Sequence, residues 1–490
     1  MRWGCRPGCT DGMAASTPVR APGTRVPPFA TRTVLPIAAV VAVAHLVAAA
    51  VTGGYWFDEA YMLAIGRHHL DWGSVDQPPL TPLLAALADL VAPGSMLALR
   101  VPAVLATAGA VVVAALIARE LGGDRRAQAL TAGAQATTLW ITLMGHFLTP
   151  YALEPVQWLT LVWLLLRWMR TRQDRSLLVL GVVAGVAAQT KFHVMLLCAV
   201  LLVGVAVFGP RELLRRPLLW AGALIGASIA APTLVWQAAN GWPQLRMGPV
   251  AAAEAEFLYG GRPGVAVLLI GVAGVAGLVL GAYGLVRLLR SAEHRFLGVA
   301  FVALYVFFVA TGGRPYYLGG LYAVLAAAGA VGLMRRRLAG RRRWSWTAWP
   351  AYAASALAAG AMLVASIPAA EPGAGQRIAD VAASAYGSQQ QPTAIIGQSY
   401  IYSAYIEAYG GDTAGLPPVH GTNRAYGWFP PPPEDTDAAI YVGSTPAELA
   451  PYFTEVEELQ DSDGLGAWLL SGRTQPWETI WAERRTLVVS

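Results

Sequence analysis

The sequence predicts a polytopic α-helical membrane protein with a small C-terminal α/β domain, on three observations. First, 56% of its 490 residues are hydrophobic and 13% charged, with a mean hydropathy of +0.48. A soluble domain carries about 25% charge, so repeated burial in lipid best accounts for this balance. Second, the apolar residues fall in runs close to the ~20 residues that a helix needs to cross a bilayer. Third, the apolar excess stops near residue 367, and residues 371–490 hold fifteen acids and five arginines.

Composition excludes other classes. The 17 Trp, 18 Tyr and aliphatic excess exclude disorder. Cys5, Cys9 and Cys198 are too few for a disulfide framework. A net charge of +6 would suit a nucleic-acid partner, but the placement of the charges makes them topology signals, and no nucleic acid is expected. The basic residues are 34 Arg and a single Lys, Lys191. Such replacement reads as codon bias, and it draws attention to the one lysine that remains.

Eleven apolar segments emerge: 34–52, 96–118, 128–146, 152–168, 176–190, 192–208, 217–237, 264–286, 296–311, 316–334 and 346–367. With the N-terminus inside, the inner segments carry 24 of the basic residues and the outer loops six: Arg67, Arg100, Lys191, Arg246, Arg262 and Arg314. The positive-inside rule therefore sets the orientation. Residues 53–95, 146–151, 191, 238–263, 312–316 and everything after 367 are expected outside, at a plasma membrane. Residues 1–33, rich in Pro, Gly, Thr and Arg without periodicity, are expected to be a disordered cytosolic tail. Residues 34–367 form the membrane domain, its first outer loop at 53–95 carrying interfacial helices.

Residues 368–490 are expected to be an extracytoplasmic α/β domain. Strand-like runs occur at Thr393–Gly397, Ala438–Gly443 and Ala467–Ser471, between helix-like stretches at Gln376–Ala385, Tyr400–Tyr409 and Pro446–Tyr452. Pro368–Gly375 is expected to link them to the membrane.

Ionisable groups near a membrane are functional suspects, and they gather on the outer side. Asp58 and Glu59 open a helix just beyond the first span, where they could serve as a base and its partner or simply favour the first turn. Asp76-Gln-Pro-Pro-Leu80 leads into an amphipathic helix and reads either as a site acid or as a turn. The loop from His146 through Thr149-Pro150-Tyr151 reaches Glu154 at the start of the next span. Lys191 stands on the outer side, where lysine has no topogenic use; it could meet a phosphate or snorkel to the interface. Arg314-Pro-Tyr316-Tyr317 adds a second cation beside phenols. Asn240-Gly-Trp242-Pro243 reads as an interfacial anchor and turn.

In this order, Phe57-Asp58-Glu59-Ala-Tyr61, Asp76-Gln-Pro-Pro-Leu80, Thr149-Pro150, Thr190-Lys191-Phe192 and Arg314-Pro-Tyr-Tyr317 resemble the GT-C superfamily of membrane glycosyltransferases. The likeness is to family 39, related to protein O-mannosyltransferases and lipid A aminoarabinose transferases, and covers about residues 34–490. It implies a polyprenyl-phosphate-linked sugar donor (a hexosyl or pentosyl group) and a lipid, glycan or protein acceptor at the outer face.

It further implies Asp58 as the base, with Glu59 beside it, in an inverting transfer. Lys191, Arg314, Tyr316 and Tyr317 would hold the donor phosphate. Asp76, Glu154 and His146 would supply a second acid or the acceptor site. His420, Asn423 and Trp428, in the segment Pro417–Trp428 that resembles the family's loop returning to the cavity, would join them. Tyr151 stands where many relatives carry Asp, and Gln77 where relatives often carry His. No cofactor or metal is expected to be required, although Asp58 with Glu154 could hold a divalent cation. The competing class is a transporter or lipid flippase without transferase activity, which would leave the one-sided clustering of polar groups unexplained.

Overall fold

A computed structural model describes residues 26–341, 346, 348–370, 372–389, 391–410, 415–462 and 464–489. The tail 1–25, with Cys5 and Cys9, lies outside the described residues, as do Arg342 and Arg343 of the last inner cluster. Helix α1 (Thr31–Val51) begins inside the stretch expected to be disordered. The first loop carries α2 (Phe57–His68) and α3 (Leu80–Val91). There follow α4 (Met96–Glu120), α5 (Arg125–Ala136), α6 (Leu139–Met144), α7 (Pro150–Thr171), α8 (Arg175–Ala188), α9 (His193–Phe208) and α10 (Pro217–Ala239). After α11 (Pro243–Tyr259) come α12 (Gly261–Gly271), α13 (Gly274–Arg290), α14 (Arg295–Ala310), α15 (Tyr322–Leu338) and α16 (Ala348–Ala369).

Among the described residues, nine of the eleven expected apolar segments each coincide with one helix. Four helices are long and apolar enough to cross a membrane: α1, α4, α10 and the helical run beginning at Ala348. Helices α8, α9 and α14 are apolar but only 14, 16 and 16 residues long. Eleven crossings would thus depend on helices shorter than the usual ~20 residues.

The other two segments are broken, and their breaks meet. The segment 128–146 divides at Thr137-Thr138, whose hydroxyls bond back to Gly133 and Ala134 carbonyls. The segment 264–286 divides at Val272-Ala273, with α12 and α13 bent by 92°. The Leu139 amide donates to the Val272 carbonyl at 2.8 Å, so one break satisfies the other. Gly274 has φ +72, and a Cβ there would lie 2.6 Å from the Thr137 carbonyl oxygen. Irregular backbone inside an apolar bundle persists where protein groups satisfy it.

The C-terminal residues form α17 (Pro372–Gly387), β1 (Thr393–Gly397), α18 (Tyr400–Gly410), β2 (Val419–His420), β3 (Ala438–Gly443), β4 (Phe453–Ser462), β5 (Leu465–Arg473) and α19 (Trp477–Arg484). The sheet order is β2-β1-β3-β5-β4, parallel around β1 and antiparallel around β5. Strands β2 and β4 and helix α19 were not legible as periodic runs. The expected helix at Pro446–Tyr452 is reduced to a 3-10 turn at Ala450–Tyr452. Within the expected linker Pro368–Gly375, α16 runs to Ala369 and helix resumes at Pro372.

The domain sits on the first loop. Helix α18 packs on α2 in a shared core containing Tyr61, Ile65, Tyr400, Ala404 and Tyr426. The Tyr55 amide donates to the Tyr409 hydroxyl at 2.9 Å, and Arg67 Nη1 to the Ala408 carbonyl at 3.3 Å. This docking brings the domain to the end of the bundle where the motif residues collect.

Candidate active site

Asp58 and Glu59 are neighbours in α2, and at 3.6 residues per turn their side chains diverge by about 100°. Glu59, expected beside Asp58 in catalysis, points into the bundle. There it pairs with Arg100 of α4 at 2.9 Å, both side chains 0% exposed. Arg100 also donates to the carbonyls of Ala49, Thr52 and Gly54, and Glu59 accepts from the Leu148 amide. The pair fixes the junction of α1 with α2. Arg100, counted above as a loop residue, is a buried residue of α4.

Asp58 is half-buried on the other side. Its Oδ2 accepts from the Tyr151 hydroxyl at 3.2 Å, and that hydroxyl accepts from Trp56 Nε1 at 2.7 Å. Burial pushes the Asp58 carboxyl up to about 6; nearby Asp76 adds to the rise and the Tyr151 hydrogen bond opposes it. Tyr151 owes its place to Thr149-Pro150, which starts α7 with extended Thr149 and proline in the first turn.

From Tyr151 a continuous row of rings leads to the lysine. The Tyr151 and Tyr316 rings lie 5.0 Å apart. Lys191 Nζ lies 4.9 Å from the Tyr316 ring centroid and 4.6 Å from that of Tyr317. Lys191 occupies the turn between α8 and α9, and the Leu80 amide bonds the neighbouring Gln189 carbonyl at 2.9 Å. The Asp-x-Pro-Pro-Leu segment is thereby tied to the lysine's turn. Asp76 accepts from the Tyr61 hydroxyl at 2.9 Å; burial raises its carboxyl, and the guanidinium of Arg424 opposes the rise.

Arg314 ion-pairs with Glu254 of α11, which also pairs with Arg424 of the C-terminal domain. Gly312, at φ +62, sets the approach: a Cβ there would meet Ala252 of α11 at 3.0 Å. Glu154, one turn along α7, faces His193 and Lys191. Its Oε1 lies 3.8 Å from His193 Nδ1, and its charge acts on Lys191.

Four expected site residues are engaged elsewhere. His146 packs against Phe147 and the His45 ring of α1. Asn423 caps α18, accepting from the Tyr400 amide and donating to the Gln398 carbonyl. His420 Nδ1 lies 3.1 Å from the Pro430 carbonyl. Trp428 lies under the Arg485 guanidinium, 5.5 Å from its carbon.

The residue that their loop does send to the site is Arg424, missed in the sequence. It has φ +51, a conformation that costs a non-glycine residue about 1–2 kcal/mol. The Arg424 amide donates to Thr486 and the Ala425 amide to the Tyr61 hydroxyl, which hold it there. One of five arginines in an acidic domain, it had a compositional signal. Glu254 had none.

Helices α7, α8, α9 and α10 line a half-open apolar cavity of about 390 Å³, bounded among others by Leu161, Ala184, Ala188, Val194, Met195 and Trp220. Ala188 and Val194 flank the lysine's turn. The α8–α10 wall is tightly closed: a Cβ on Gly181 would lie 2.0 Å from the Gly222 carbonyl oxygen. Among the described residues no group of three or more His, Cys, Asp or Glu is placed to hold a metal ion.

Residues 76–236 match the family described as dolichyl-phosphate-mannose-protein mannosyltransferase. No curated protein matches the chain. Among solved structures it is similar to ArnT from Cupriavidus metallidurans in the apo state, with a TM-score of 0.66, 15% identity, and 90% of this chain and 98% of that chain covered. The same protein bound to undecaprenyl phosphate gives a TM-score of 0.62 and 16% identity over the same shares. Arabinofuranosyltransferase AftD from Mycobacteria gives a TM-score of 0.53 and 13% identity, with 90% of this chain and 40% of that chain covered. This multi-pass membrane protein therefore shares the fold of ArnT and AftD, and its residues 76–236 match the mannosyltransferase family.

Proposed function

We propose that the chain is an inverting glycosyltransferase that moves a hexosyl or pentosyl group from a polyprenyl-phosphate donor to an acceptor hydroxyl. The reaction takes place at the outer face of the plasma membrane, and the acceptor is a lipid, glycan or protein. One observation carries the reading: a half-buried carboxylate, Asp58, is joined through Tyr151 and Tyr316 to a lone ammonium, Lys191, beside an apolar cavity. That cavity suits a prenyl chain, and ArnT, the similar structure, binds undecaprenyl phosphate.

Asp58 takes the proton of the acceptor hydroxyl as the oxygen attacks the anomeric carbon. The bond from that carbon to the phosphate oxygen breaks on the opposite face, inverting the configuration through an oxocarbenium-like transition state. Charge that grows on the departing phosphate is met by Lys191, Arg314 and Arg424. With three cations at the leaving group, the reading requires no divalent ion. A flippase would move the lipid intact.

The test is to incubate purified protein with polyprenyl-phosphate sugars labelled in the sugar. Release of polyprenyl phosphate with transfer of label, lost by about 10²-fold or more in Asp58→Asn, is the expected result. Lipid translocation without cleavage would overturn the reading.

A further inference from the structure

Helix α11 is held in an unusual way. It is 17 residues long but buries only Pro243 and Ala255, while Leu245 and Phe257 are 74% and 89% exposed. Both ends are left-handed: Gly241 and Trp242 precede it at φ +73 and +55, and Gly260 and Gly261 follow at +73 and +69. Its polar attachments are made chiefly by Glu254. One carboxylate oxygen pairs with Arg314 and the other with Arg424, residues 60 and 170 positions away in sequence.

A carboxylate between two guanidiniums has the charge and oxygen spacing of part of a phosphate. Here it leaves donors unused. Arg314 Nη1 and Arg424 Nε are buried with no hydrogen-bond partner among the described residues. The Arg424 side chain is only 8% exposed, so solvent does not readily serve it. The donor's phosphodiester presents two free oxygens and the released polyprenyl phosphate, a monoester, presents three, so the monoester could engage donors that a single carboxylate cannot.

We infer that Glu254 is an internal competitor for the donor phosphate: its carboxylate sits between Arg314 and Arg424 where the phosphate binds, and it must yield that position when polyprenyl phosphate arrives. Helix α11, thinly packed and bounded at both ends by left-handed residues, is the element that moves. Glu254 thereby sets donor affinity and keeps the two arginines paired until a phosphate replaces it. The inference rests on the reading of Arg314 and Arg424 as the phosphate site.

The test measures binding of sugar-free polyprenyl phosphate to the full-length protein in detergent. An internal ligand that fills a site about nine-tenths of the time weakens apparent affinity about tenfold. Glu254→Gln, nearly isosteric and uncharged, should tighten the Kd by about that factor. Glu254→Asp, one methylene shorter and unable to span both arginines, should tighten it less, and it carries the test if the glutamine variant does not accumulate. Unchanged or weaker binding in these variants would make Glu254 a brace and overturn the inference. The underlying reading fails by a different result: Arg314→Gln and Arg424→Gln would each bind polyprenyl phosphate like the parent.

Discussion

The Tyr151 hydroxyl donates to Asp58 Oδ2 at 3.2 Å while accepting from Trp56 Nε1 at 2.7 Å. A phenol polarised by an indole thus fixes one carboxylate oxygen and leaves the other for an acceptor. With Asp58 as the proposed base, Tyr151 is a positioning residue, and its hydrogen bond favours the ionised carboxylate.

That geometry sets a pH dependence. A base at Asp58, as proposed, works only when deprotonated, and burial raises this carboxyl to about 6, so kcat/KM should be full well above that pH and fall as pH drops through it. Tyr151→Phe removes the stabilising donor, so the carboxyl should titrate higher and the acid limb should shift to higher pH. A pH–rate profile of the variant superimposable on the parent's would dismiss the role.

Glu59 should behave oppositely to Asp58. Removing one partner of a buried ion pair strands the other, at a cost of about 3–5 kcal/mol. Glu59→Gln should therefore lower yield and Tm sharply, whereas Asp58→Asn should accumulate normally and lose turnover. Equal stability of the two variants, by thermal unfolding in detergent, would contradict this division.

Lys191 should be poorly replaced by arginine. Its ammonium is seated between two phenol rings at 4.9 and 4.6 Å, where a planar guanidinium would not reproduce a compact point charge. Lys191→Ala should lower turnover by about tenfold or more, up to the ~10²-fold or greater loss seen when one stabilising donor is removed. Lys191→Arg should recover part of it. Parental kinetics in both would reduce the lysine to an anchor.

Arg424 can be tested without disturbing its backbone. Glycine accepts φ +51 freely, so Arg424→Gly should keep the loop and the domain docking while removing the charge. Transfer should fall by about tenfold or more with Tm nearly unchanged. Full activity would leave the C-terminal domain without a direct part in the site.

Orientation is tested separately. A reporter fused after Ser490 should be active only on the outer side; a cytosolic signal would move every proposed site to the other face.

How much was legible follows from the range of the forces involved. Apolar runs and arginine clusters are local, so the helices could be read from the chain, as could β1 and β3, whose apolar runs are continuous. The motif residues Asp58, Asp76, Lys191 and Arg314 were legible as polar groups at helix ends. Which of them face one another was not. Asp58 and Glu59 are indistinguishable in the chain, and it is the position of Arg100 on α4 that draws one inward and leaves the other against Tyr151. The sequence reading likewise singles out Asn423 and passes over its neighbour Arg424. A left-handed backbone, held by Thr486 and Tyr61, turns Arg424 to the site and leaves Asn423 capping α18. Glu254 reaches partners 60 and 170 residues away, and such a pairing has no local periodicity to reveal it. Burial within a helix is written in its own spacing, whereas electrostatic partnership depends on which distant segments the packed bundle brings within a few ångströms.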